Sequence, residues 1–232
     1  MNLQVCLPYQ PCWFNCPMCV ARGHKHKYIF DNLYASDKKK YLKALKKAVC
    51  DLDKGVSVVL TGECDPTQDM NFCSDVVAVV RKYRPDLRIE LQTRNYTYRG
   101  GLDLDVLSYS VVNEAGYNAS STFYRETKEG AINRMVILLC AWTEKFSNKN
   151  FESKGFDQIT FKVLQYSEDP DVNKWIRNNK LPDRRLDRIR SIVRPGVSIR
   201  LDMNCQSGEG RYLIFRSDGH VYKTWEEGRK EK

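Results

Sequence analysis

Apolar residues along this chain recur in two rhythms. Short runs rich in Val, Ile and Leu fall at 3–7, 56–60, 87–92, 107–112, 135–142 and 156–164. Runs of that length and composition predict strands, and a run apolar but for Ser57, as at 56–60, predicts a strand buried on both faces. Between them the spacing changes. Leu42, Leu45, Val49 and Leu52 share one face of a predicted helix over 37–53, with Ser36 as its cap, lysines opposite and Gly55 as its stop. Phe72, Val76, Val79 and Tyr83 line a second helix over 69–83, which Pro85 ends. A Gly100-Gly101 turn precedes the fourth run, and the stretch 121–134 is expected to be helical.

Six strands separated by helices or connecting segments call for parallel pairing through right-handed crossovers. Beyond the sixth strand, two short helices are expected at 170–179, capped by Asp169, and at 183–193. Their exposed positions carry Arg177, Arg184, Arg185, Arg188, Arg190 and Arg194. The chain closes with a strand over 198–202 and a hairpin, 211–216 and 221–225, around Ser217-Asp218-Gly219-His220. The first 168 residues are expected to form the core, and 169–232 an extension packed on its mouth or edge.

The bulk numbers narrow the class without naming it. At 232 residues the chain is long enough to bury a real core. No apolar run approaches the roughly 18 residues of a membrane span, and Met1-Asn2-Leu3-Gln4-Val5-Cys6 lacks the character of a signal peptide, so a cytoplasmic protein is expected. A formal charge of +9 favours anionic partners, nucleic acid among them, although Lys38–Lys40 and Lys46–Lys47 fit the solvated face of a helix. Nine cysteines are an odd count with no secretion signal, which argues against a disulfide framework. Cys6, Cys50, Cys73 and Cys140 sit in apolar patterns as small hydrophobes, whereas Cys64 and Cys205 lie in polar loops.

The remaining three carry the chemistry. Cys12, Cys16 and Cys19 fall within eight residues just after the first strand, in Pro11-Cys12-Trp13-Phe14-Asn15-Cys16-Pro17-Met18-Cys19. Three thiolates so spaced suit three corners of a cubane iron–sulfur cluster, leaving the fourth iron without a protein ligand. Zinc asks for a fourth Cys or His. His24 and His26 are close, but no second paired knuckle follows.

The spacing Cys-x3-Cys-x2-Cys resembles the signature of the radical S-adenosylmethionine (SAM) superfamily, with Met18 where an aromatic residue often stands. That resemblance implies an open (βα)6 partial TIM barrel with its chemistry at the C-terminal strand ends. It implies a [4Fe-4S] cluster held by Cys12, Cys16 and Cys19, and SAM chelated to the open iron. A reduced cluster would cleave SAM to methionine and a 5′-deoxyadenosyl radical, which takes a hydrogen atom from a substrate. A one-electron reductant such as a flavodoxin or ferredoxin would serve as partner.

Further positions follow from the same resemblance. Thr61-Gly62-Glu63 would receive the SAM amino group, with Asp65 as the alternative acid in a run one residue longer than the common pattern. Arg94, in Gln92-Thr93-Arg94-Asn95, would reach SAM or substrate. Asn113 and Glu114 would meet the ribose, and Lys162 and Gln165 the adenine end. No catalytic residue stands out, though Cys205 is a candidate hydrogen donor. A peptide, a nucleotide-like molecule as in 7-carboxy-7-deazaguanine synthases, and a glycyl-radical enzyme all remain as substrates. The competing class is a zinc- or cluster-stabilised nucleic-acid-binding protein, whose affinity would fall steeply with salt.

Overall fold

The structure, a computed structural model, describes residues 2–8, 10–19, 30–62, 64–123, 125, 127–164, 166, 169–203, 212–225 and 227. Six strands pair in parallel and in chain order: β1 (Asn2–Cys6), β2 (Ser57–Thr61), β3 (Arg88–Thr93), β4 (Val106–Val111), β5 (Ile132–Leu139) and β6 (Gln158–Val163). An order that never reverses puts every right-handed crossover on the same side, which is the winding of a barrel and not of a doubly wound sheet. The packed face is apolar. Leu3, Val5, Val58, Leu60, Ile89, Leu91, Leu107, Tyr109, Met135, Ile137, Ile159 and Phe161 are completely buried there. They share one core with the buried residues of α2 (Lys38–Cys50) and α3 (Met70–Tyr83).

Strand alternation sends the intervening residues to the other face. That face gathers the polar residues of the strands: Gln4, Glu90, Gln92, Ser108, Arg134, Gln158, Thr160 and Lys162 lie along it beside Val59, Val106, Val136 and Leu138. Glu90 joins several of them, accepting from Gln92 Nε2 at 2.9 Å, Ser108 Oγ at 2.8 Å and Arg134 Nη1 at 2.7 Å. Arg134 Nε continues to Gln158 Oε1 at 3.0 Å.

Three more strands lengthen the sheet at its two edges. β7 (Ser198–Asp202) adds in parallel to β6, and β8 (Tyr212–Phe215) adds in parallel to β1, with β9 (Val221–Tyr222) antiparallel outside it. The order is β7-β6-β5-β4-β3-β2-β1-β8-β9, and the sheet does not close.

Local expectations fail where side chains redirect the backbone. Among the described residues, the stretch 121–134 holds no α-helix. Asn113 caps the short α4 (Glu114–Ala119) through Gly116 N, and a 3-10 turn, Ser120–Thr122, finishes it. Ser120 Oγ and Thr122 Oγ1 bond back to the carbonyls of Tyr117 and Ala119. Phe123 stacks on Tyr96 at 3.9 Å, and Ile132–Arg134 are drawn into β5 by pairing with Val106–Ser108. Asp37, not Ser36, caps α2, because Ser36 ends α1 (Leu33–Ser36) and the Asp37 carboxylate takes Lys40 N at 3.0 Å.

The C-terminal segment divides. α5 (Pro170–Asn179), capped by Asp169 as expected, sets Val172 and Ile176 against the rim of β4–β6. The β8–β9 pair lies at the β1 edge. The arginines expected on a cover are largely tethers. Arg185 pairs with Glu144 at 2.9 Å and Arg188 with the Glu144 carbonyl at 3.2 Å. Arg190, on α6 (Leu186–Arg190), meets Asp187, and Arg194 meets the carbonyls of Asn148 and Phe151.

Candidate functional site

The cysteine loop leaves the C-terminal end of β1, the rim at which an open α/β sheet places its ligands. Its shape is set by turns and two clamps. Asn15 adopts a positive φ of 40°, and Cys19 N bonds to Cys16 O at 3.1 Å, so the chain doubles back between the second and third cysteines. The Gln68 carboxamide grips the first part from below. Its Oε1 accepts from Trp13 N at 3.1 Å and its Nε2 donates to Pro11 O at 2.9 Å. Gln68 ends a 3-10 turn (Pro66–Gln68) that follows β2, with Asp65 as its cap and Pro66 at the first position, a favoured start for a helical turn.

Arg94 provides the second clamp. Its Nη1 donates to Cys16 Sγ at 3.0 Å and to Phe14 O at 3.3 Å, and the guanidinium lies 5.6 Å from the Phe14 ring centre. Burial weakens the guanidinium's hold on its proton, but the Cys16 sulfur and Tyr96 outweigh this and raise its pKa. Burial raises the Tyr96 phenol in turn, and Arg94 partly offsets that.

Behind this contact sits Asp65, which is buried. Oδ1 accepts from Thr67 N at 3.0 Å and from the hydroxyls of Thr67 and Thr93, both at 2.7 Å. Oδ2 accepts from Arg94 N at 2.7 Å. The carboxylate thus ties the rim of β2 to the rim of β3. Its oxygens are committed to that task, and it is a structural acid here.

Gly62 has a concrete reason to be glycine. Its φ is +140°, and a Cβ there would stand 3.1 Å from Cys6 Cα and 3.2 Å from Leu7 N. Any side chain would be strained and would push β2 off the root of the cysteine loop. Thr61, paired with Cys6, shares that junction.

The remaining expected positions spread around the rim or fall outside the description. Asn113 spends its side-chain oxygen on Gly116 N at 2.8 Å, capping α4. Glu114 reaches back to Lys145. Lys162 lies on the polar face of β6, in register with Leu138 and Asp202. Glu63, Gln165, His24, His26 and Cys205 lie outside the described residues. Cys64 is a buried thiol bonded to Pro8 O at 3.8 Å, and burial pushes its pKa up to about 12, so it stays protonated and inert. Sequence reasoning missed Gln68 altogether; the only signal was the cap-and-proline start in Asp65-Pro66.

The three loop cysteines fit a cluster. No disulfide joins them, all are partly exposed, and Arg94 offers one of them a cationic N–H donor. Among the described residues no three His, Cys, Asp or Glu side chains converge as a single bound ion requires. A cubane does not ask for that convergence, since each thiolate binds a different iron. Met18 is buried with Val112, Cys140 and Leu164 beyond the ends of β4, β5 and β6, and with Val172 and Ile176 of α5, and Cys16 packs against this group.

No protein-family model and no curated protein matches the chain. Solved structures do. Native anSMEcpe with bound AdoMet and Cp18Cys peptide aligns with a TM-score of 0.57 at 16% identity, over 96% of this chain and 73% of that one. A polyhistidine-tagged form of anSMEcpe with bound AdoMet aligns at 0.59 and 15%, over 96% and 71%. The chain has the radical SAM fold. Within a radical SAM barrel, the loop after β1 and the rims of β2 and β3 form one connected unit here, joined through Gln68, Asp65 and Arg94.

Proposed function

We propose that the protein is a radical SAM enzyme. The observation that carries this is the placement of Cys12, Cys16 and Cys19 on the loop after β1, in a fold that aligns with AdoMet-bound structures. Those three thiolates would hold a [4Fe-4S] cluster, and SAM would be its ligand and co-substrate. When bound, the pair supplies one-electron cleavage of the SAM sulfonium and hence a hydrogen-abstracting species. The chain's own residues do the rest. Thr61, Gly62 and Glu63 would line the SAM amino end, and Asn113, Lys162 and Gln165 the rim of β4–β6. Met18 and its apolar neighbours exclude water beside the cysteine loop.

The polar face formed by Glu90, Gln92, Ser108, Arg134, Gln158 and Thr160 suits a substrate rich in hydrogen-bonding groups. A peptide is the first class to test, because one aligned structure holds a peptide beside AdoMet. A small electron-transfer protein, a flavodoxin or ferredoxin, would supply the electron.

Anaerobic reconstitution should load about four irons and four sulfides per chain. With a strong one-electron reductant, the loaded protein should cleave SAM to methionine and 5′-deoxyadenosine. Changing Cys12, Cys16 and Cys19 together to Ala should abolish both, while Cys64→Ala should retain the cluster. Stoichiometric zinc without iron, measured by elemental analysis, overturns the reading.

A further inference from the structure

The geometry points to Arg94 as a positioning residue of the cluster: its guanidinium holds the Cys16 thiolate and raises the cluster's reduction potential. This rests on the radical SAM reading above and goes beyond it, because the resemblance assigns Arg94 to SAM or substrate.

Three features of the structure set Arg94 apart from an ordinary loop arginine. First, its backbone is anchored. Arg94 N donates to Asp65 Oδ2 at 2.7 Å, and Asp65 is itself fixed by Thr67 and Thr93, so the side chain starts from a rigid base. Second, the side chain is aimed. Nη1 reaches Cys16 Sγ at 3.0 Å and Phe14 O at 3.3 Å, with Phe14 beside the guanidinium plane. Third, its charge is balanced by sulfur. Arg94 is half-buried, and the nearby acid, Asp65, spends its oxygens on backbone and hydroxyl donors. Among the described ion pairs, none joins Arg94 to a carboxylate.

A thiolate ligand that accepts an N–H bond from a cation donates less electron density to its iron. The reduced cluster carries one more negative charge than the oxidised one and gains more from the nearby guanidinium. Hydrogen bonds to the sulfurs and net local charge are the levers by which a protein sets a cluster's potential. Both are supplied here by a single residue just after β3, outside the cysteine loop. The fork matters as well as the charge, because the same nitrogen also fixes the Phe14 carbonyl and so the direction from which Cys16 approaches.

The test is an EPR-monitored redox titration of the reconstituted protein without SAM, so that any role of Arg94 toward SAM does not enter. Arg94→Gln should shift the reduction equilibrium about tenfold toward the oxidised cluster, ~59 mV for one electron. Arg94→Lys keeps the charge but not the fork and should fall between. Lys39→Gln, which removes a charge from the exposed face of α2, should match wild type. Arg94→Gln with full iron and sulfide and an unchanged potential overturns the inference. Should Arg94→Gln fail to hold a cluster, Arg94→Lys decides: a lowered potential supports the assignment, and a wild-type potential overturns it. A wild-type chain that takes up no cluster defeats the functional reading itself, and this inference with it.

Discussion

Asp65 is the residue on which the candidate site hangs, although it touches no cysteine. Its carboxylate gathers Thr67, Thr93 and the backbone of Arg94, and so sets the distance between the rims of β2 and β3. Asp65→Ala leaves those donors buried without an acceptor and should cost about 3 kcal/mol of stability, the upper end for hydrogen bonds to a charged group. Urea denaturation of the apoprotein measures this, and a loss below about 0.5 kcal/mol contradicts the assignment. The sequence made the cysteines legible because three thiols at fixed spacing have few other uses. It left Asp65 and Glu63 as alternatives, since a one-residue insertion after Gly62 shifts which acid faces where, and only the hydrogen-bond partners assign Asp65. Arg94 was visible as a rim residue, but its target was not. Nothing in Gln92-Thr93-Arg94-Asn95 encodes that its fork meets a sulfur 78 residues earlier in the chain.

Among the elements, the strands were easier to read from sequence than the segments joining them. An apolar run buried by helices announces itself, and β2, β3 and β6 lie within two residues of their expected positions. The stretch after β4 misled because its polar residues bond to nearby backbone: Asn113 starts the helix, and Ser120 and Thr122 close it early. The polar face was hidden as well, because Glu90 and Arg134 look like solvent-facing positions until β3, β4 and β5 are aligned. Their pair is mostly buried, with side-chain exposures of 9% and 18%. Arg134→Ala strands the Glu90 carboxylate and should cost about 3–5 kcal/mol. Arg134→Met with Glu90→Gln, which removes both charges, should recover most of that loss. Thermal denaturation of the two variants checks the order; equal midpoints would mean that the pair is solvated and structurally idle.

Across the whole molecule, the C-terminal segment is less a lid than a margin on both edges. β8 pairs with β1, Phe215 is fully buried in the main core, and Arg216 is buried among Phe30, Tyr222 and Trp225. Deleting the chain from Arg211 onward therefore removes a core residue and bares the outer edge of the strand that carries the cysteine loop. The truncated protein should be readily cleaved by limited proteolysis and should aggregate before it can be loaded with iron. A truncated chain that stays protease-resistant and takes up iron normally would show that β1 needs no outer neighbour. The hairpin was expected from its turn residues, but its docking was not, since a pairing between Asn2 and Tyr212 leaves no trace in any local window. That pairing also orders events at the ribosome. β1 and its cysteines are translated long before the strand that flanks them, because Tyr212 lies far along the chain from its partner Asn2. The cysteine loop must wait for a strand far along the chain, and metal loading of the finished loop belongs after β8 has docked on β1.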